Sequence, residues 1–176
     1  MMSLRLHASD VLLTDDLTPW QQEQFRHDQR NHSDILNMPR PDRLKHYGLH
    51  FAKYVGRLAR GSAETKPVDR TIVDAALICL SAANSLNQRL KKPASTMPSS
   101  SLQTDKTLSL ADAAGRFADA CEKIDHLEEF LLLARTANED ILKWVFTISA
   151  ERHLNLSSAI KVRRKEIADR QFYIMD

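Results

Sequence analysis

Glycine is scarce, at 4 residues in 176, and aromatic residues make up only 6% of the chain. A β-rich fold needs many tight turns and favours aromatic and branched side chains, so that class is disfavoured. The 2 cysteines, Cys79 and Cys121, both fall inside apolar helical patterns and read as buried thiols, which suits a reducing compartment. No stretch approaches the ~20 apolar residues of a membrane span. The amino terminus lacks a basic segment followed by a long apolar run, so no signal peptide is expected. These features predict a soluble cytoplasmic protein with no membrane partner. Charge of one sign is lacking as well. Lys and Arg number 25 against 23 acids, a net charge of +2, which gives no global electrostatic case for nucleic acid. Also missing are a Gly-rich phosphate loop, a Gly-x-Ser-x-Gly elbow, a Cys-x-x-Cys pair and a His-Glu-x-x-His site.

What the chain does contain is helical. Ala, Leu, Arg, Lys, Glu and Gln dominate, hydrophobic content is 43%, and 27% of residues are charged. The length predicts one domain over 1–176, able to bury roughly 70% of its unfolded surface. The expected fold is an all-α bundle of about six helices with one long Pro/Ser-rich connection.

Residues 1–17 read as an arm. Thr18, Pro19 and Gln21 make a helix start with a capping box, and this helix is expected to run to about Asn31, with Trp20 and Phe25 toward the core. Pro39 and Pro41 predict a loop over 33–42. A helix pair over 43–60 and 68–90 organises the rest. Leu44, Tyr47, Phe51, Tyr54, Val55 and Leu58 stripe its first member, Gly61 closes it, and an Ala-rich, wide apolar face marks the second. Residues 92–107 read as a linker or surface loop. A long helix is then expected over 109–135, with Leu127 and Leu131 on its inner face. Further helices are expected over 138–152 and from Ser157, ahead of an apolar tail at 172–176 that would dock on the core or a partner.

Three constellations could carry chemistry. His46, His50, Lys53, Arg57 and Arg60 line one helix face. That face reads as solvated, as an anion- or partner-binding surface, or, through the two histidines, as part of a metal site with no third ligand near in sequence. Glu122 and Asp125, joined by Asp140 from a neighbouring antiparallel helix, are candidate oxygen ligands for Mg²⁺; Glu129 and Glu139 lie nearby in sequence. Arg163, Arg164 and Lys165 could meet phosphate, but Glu166 and Asp169 alternate with them as on a solvated face.

The segment 46–59 (HYGLHFAKYVGRLA) resembles a helix of MazG-like all-α nucleoside triphosphate pyrophosphohydrolases, which usually reads E-x-x-G-E-L-A. Segment 74–86 (DAALICLSAANSL) is similar to their next helix, and 153–160 (HLNLSSAI) to the start of their last. The resemblance covers about half of the chain and implies a helical scaffold on which two acidic pairs bind Mg²⁺ for cleavage to a monophosphate and pyrophosphate. This chain departs from that pattern. Lys53 and Arg57 replace the first acidic pair, and Arg70 and Thr71 precede the retained Asp74. Two cations there would repel Mg²⁺. A second register places the metal on Glu122, Asp125 and Asp140, with Ala137 where an acid is expected.

The reading preferred on sequence is a MazG-like protein with a degenerate metal site, which binds an anionic ligand or partner as an interaction or regulatory protein. The alternatives are an active Mg²⁺-dependent pyrophosphohydrolase built on the second-half acids, and a helical subunit of a nucleic-acid complex. A homodimer or protein partner is expected, and a nucleotide is the small ligand that the resemblance implies.

Overall fold

The computed structural model describes residues 15–94 and 106–170. The arm over 1–14, most of the linker and the apolar tail lie outside the described residues. Among those described there are seven α-helices and no named strand. They are α1 (Thr18–Asn31), α2 (Ser33–Leu36), α3 (Arg40–Ala59), α4 (Val68–Ser85), α5 (Lys106–Asp125), α6 (Leu131–Glu151) and α7 (Leu156–Ala168).

Four of these helices form a ring in which every neighbour is antiparallel. α3 packs on α4 and α5, and α6 closes the circle by packing on both α4 and α5. The α3–α5 seam brings the Phe51 and Phe117 rings edge to face at 5.0 Å, an arrangement worth about 0.5–1.5 kcal/mol beyond area burial. Lys45 near the start of α3 meets Asp125 at the end of α5, which fixes the opposite chain directions. α4 is the most enclosed element, burying residues 71–77 and 79–83, because it also carries a second layer on its outer side. That layer consists of α1 and α7, which touch each other as well as α4, with α2 attached to α1.

Several local expectations are corrected. The α1 cap is not Thr18. Asp16 Oδ1 accepts from both the Thr18 amide (3.0 Å) and its hydroxyl (2.6 Å), and Gln21 is used elsewhere. Gln21 donates to Gln88 O (2.7 Å) and accepts from the Leu90 amide (2.9 Å), which holds the segment after α4 beside residues 15–17. The inner face of α1 is accordingly polar, formed by Gln21, Gln24, Asp28 and Asn31, whereas Phe25 is 43% exposed. Residues 33–42 are not simply a loop, since Pro39 caps α3 and Pro41 sits in its first turn, where a missing N–H costs nothing. α4 stops at Ser85, short of residue 90, and Asn87 turns the chain at φ 49°. Gly61 does end α3, at φ 52°.

The long helix expected over 109–135 is instead two helices. Leu127 fits the apolar period, yet it sits at φ 58° and is 94% exposed at the tip of the α5–α6 hairpin. Glu129 Oε1 accepts from the Leu131 amide and starts α6 there. Cys79 and Cys121 are free and buried, as expected. Among the described residues, no helix is long and apolar enough to cross a membrane.

Candidate functional site

Where the second layer meets the ring it does not close fully. A cavity of about 370 Å³ remains between α1, α2, α3, α4 and α7. Its lining mixes the polar and charged side chains of α1, α3 and α7 with the apolar Ile35, Leu36, Leu77, Ile78 and Ile167.

One wall is the α3 stripe. His46, His50, Lys53 and Arg57 all line the cavity, as helical spacing required. The face is therefore a cavity wall in which His46, His50 and Arg57 are partly buried and Lys53 stays exposed. Arg60, the fifth member, points away and bonds to Glu64. His46 Nε2 and His50 Nε2 lie 3.2 Å apart, so one ring donates to the other. His50 Nδ1 meets the Tyr54 hydroxyl at 3.2 Å and Lys53 Nζ at 2.9 Å. Burial, reinforced by the charge of Lys53, pushes the His50 pKa down to about 4, so the ring is neutral at pH 7. Burial likewise lowers His46 and raises the phenol of Tyr54. The Lys53 ammonium and the Arg57 guanidinium each stand 5.3 Å from the Tyr54 ring centre.

The floor is an ionic knot. Asp74 of α4 accepts from Arg57 (3.0 Å) and from Arg163 of α7 (2.7 Å), with Arg70 at 3.6 Å behind it. Glu166 takes the remaining valence of Arg70 (2.7 Å) and Arg163 (3.2 Å). Arg164 is also drawn inward, to Gln24 Oε1, Glu23 and the Trp20 carbonyl. The expectation that Arg163 and Arg164 form a solvated face is thus corrected. Their partners lie on α1 and α4, far away in sequence. Lys165 keeps to the surface with Asp169. Among the described residues, Lys53 and Arg170 line the cavity but are in no ion pair.

The opposite wall comes from α1 and the turn after it. His27, Asp28 and His32 bring ligand atoms within 4.8 Å of one another, enough to chelate a cation weakly. Asp28 is buried, with Oδ1 accepting from Gln24 Nε2 (2.8 Å) and Oδ2 from the Ser81 hydroxyl of α4 (2.6 Å). Sequence reasoning missed this group. The available signal was the period of α1, whose three- and four-residue spacing is carried by Gln21, Gln24, Asp28 and Asn31 instead of apolar side chains.

The second-half carboxylates are not brought together. The α5–α6 hairpin pairs Asp140 with Arg116 (2.9 Å) and α3 pairs Lys45 with Asp125 (2.6 Å). Arg116 lies nine residues before Asp125 on α5, about 13 Å along the axis. Glu122 is exposed, and among the described residues the one cluster of metal-ligand type is that at His27. Glu129 accepts from the Leu131 amide ahead of α6, and Glu139 accepts from Gln88. The Mg²⁺ implied by the resemblance does not fit this set, nor does it fit Lys53 and Arg57. No protein-family model, curated protein or solved structure matches the chain.

Proposed function

We propose that this chain is a binding or regulatory protein that holds a small phosphate-bearing anion in the cavity between α1, α3, α4 and α7. The observation that carries the reading is the charge imbalance of its walls. Lys53, Arg57, Arg163 and Arg170 line a space whose acids among the described residues are Asp28 and Asp74, and among those residues Lys53 and Arg170 have no carboxylate partner. Arg57 and Arg163 are partly buried and paired with Asp74, whereas Lys53 and Arg170 are exposed with donors to spare, and guanidinium groups match phosphate oxygens in geometry. The volume lies at the small end of the range typical of small-ligand pockets, about 300–1,000 Å³. The MazG-like pattern over 46–59 and 74–86 supports a nucleotide as the ligand class, with the catalytic metal pairs lost.

A pyrophosphohydrolase built on Glu122, Asp125 and Asp140 gains no support, since each acid is separately placed and two are ion-paired. A nucleic-acid surface gains less support because Arg57, Arg163 and Arg164 are engaged in internal ion pairs. The test is calorimetric titration of the full chain with pyrophosphate and with nucleoside mono- and triphosphates, together with an assay for pyrophosphate release. The expected result is saturable binding without turnover, weakened about tenfold by Lys53→Met. Absence of binding by every phosphate compound would sink the reading, and Mg²⁺-dependent turnover would replace it with the enzyme.

A further inference from the structure

We propose that His27, Asp28 and His32 form a site for one divalent first-row transition cation, of the Zn²⁺, Co²⁺ or Ni²⁺ type. These residues line the same cavity as the cationic wall but include none of its basic residues, so the inference goes beyond the anion reading and its test does not depend on anion binding.

The geometry begins with a departure from helical structure. Residues five apart in a continuous helix point about 140° away from each other. His32 follows the last residue of α1, and its backbone at φ −141° and ψ 39° leaves the helical path. The turn swings its ring back toward His27, and the ring centres come within 5.7 Å at 67°. The three donor atoms lie within 4.8 Å of one another. Donors around a tetrahedral cation at about 2.1 Å stand about 3.4 Å apart, so shifts of less than about 1 Å apiece close the site.

The surroundings suit a ligand set. Gln24 and Ser81 each donate to one oxygen of Asp28, which fixes the carboxylate's orientation and leaves lone pairs free. His27 Nε2 is buried and has no hydrogen-bond partner among the described residues, while Nδ1 lies 3.1 Å from the Asn31 side-chain amide, so a cation at Nε2 requires the ring proton on Nδ1 and the Asn31 amide turned to present its oxygen there. Two imidazoles and one carboxylate favour a first-row transition cation over Mg²⁺ or Ca²⁺, which prefer an all-oxygen shell. All three residues line the cavity, so the remaining coordination positions face open space.

The experiment uses the full chain, stripped with chelator and titrated with Zn²⁺ by calorimetry and with Co²⁺ by visible absorption. One-to-one saturation is expected, with ligand-field bands of a Co²⁺ bound by nitrogen and oxygen. His32→Ala and His27→Gln should each weaken Zn²⁺ binding tenfold or more, and Ser81→Ala about tenfold through the carboxylate it orients. His126→Ala, an exposed histidine on the α5–α6 turn, should change nothing. If a variant fails to fold, paramagnetic Co²⁺ added to the wild-type chain decides the matter, because resonances of residues 24–36 should shift first. No saturable binding tighter than about 1 mM overturns the proposal, as does equal affinity in folded His27 and His32 variants, or paramagnetic shifts centred elsewhere.

Discussion

Asp74 shows how much can rest on one side chain. Its carboxylate is 9% exposed and faces guanidinium groups of Arg57 and Arg163 that are themselves 10% and 14% exposed. Removing one charge from such a cluster leaves the others desolvated and unpaired, which costs more than the cluster's net contribution to stability. Asp74→Asn should therefore destabilise the chain by about 3 kcal/mol in urea unfolding. The same change removes an acid from the cavity, so pyrophosphate should bind several-fold more tightly to the variant. Unchanged stability would mean that solvent already serves both arginines. His50 makes a second prediction, about acid. Its folded pKa of about 4 lies below the ordinary value of 6.5. Above pH 6.5 the ring is neutral whether the chain is folded or not. Between about 6.5 and 4 only the unfolded chain takes up the proton, so stability falls as the pH falls, by about 3 kcal/mol in all. His27 acts in the same direction. Asp28, raised to about 6 by burial, opposes them, because its protonated form contributes stability that is lost as the pH rises through about 6. Urea midpoints at pH 7 and pH 5 should differ in the wild type and differ less in His50→Gln, and an equal difference in both would place the acid sensitivity elsewhere.

At the scale of the helix, α5 carries an avoidable cost. Gly115 lies in its middle, exposed, and a Cβ there would meet no atom within 4 Å. Gly115→Ala should add about 1 kcal/mol by restricting the unfolded chain, seen as a raised Tm, and a lowered Tm would contradict it. Helices of this kind were legible in the sequence. Apolar residues at helical spacing marked α3 and α4, and Gly61 marked the end of α3, because both signals are local. The α5–α6 break was not legible. Leu127 continues the apolar period, and only the need for an antiparallel return places it at positive φ. On α1, Trp20 does pack against the core, but a search for apolar period also selects the exposed Phe25 and passes over Gln24 and Asp28, which the helix buries. The same split runs through the site. His46, His50, Lys53 and Arg57 share one helix, so spacing alone placed them on one wall. His27, Asp28 and His32 converge through a non-helical turn, and Arg163 reaches its site through an acid 89 residues away; neither relation leaves a periodic trace.

The molecule as a whole joins two layers held by different forces. The α3–α4–α6–α5 ring is sealed by apolar side chains such as Phe51, Phe117, Ile141 and Val145, each essentially inaccessible. α1 and α7 attach to it through charge and hydrogen bonds, among them Arg70 to Glu166 (2.7 Å), Arg163 to Asp74 and Ser81 to Asp28, while α7 buries only Leu156 and Ile160. Apolar burial is insensitive to moderate salt, whereas ion pairs with one partly exposed partner are screened. The outer layer should therefore open below the free energy of global unfolding. Native-state hydrogen exchange should show lower protection for amides of α1 and α7 than for those of α4 and α6. Raising the salt from 0.05 to about 0.5 M should widen the gap. A ligand held between the layers would narrow it again, since binding adds about RT ln(1 + [L]/Kd) to the cost of opening. Pyrophosphate at saturation should thus protect α1 and α7 selectively. Equal protection in both layers, unaffected by salt and ligand, would show that the cavity is a packing defect within one cooperative unit.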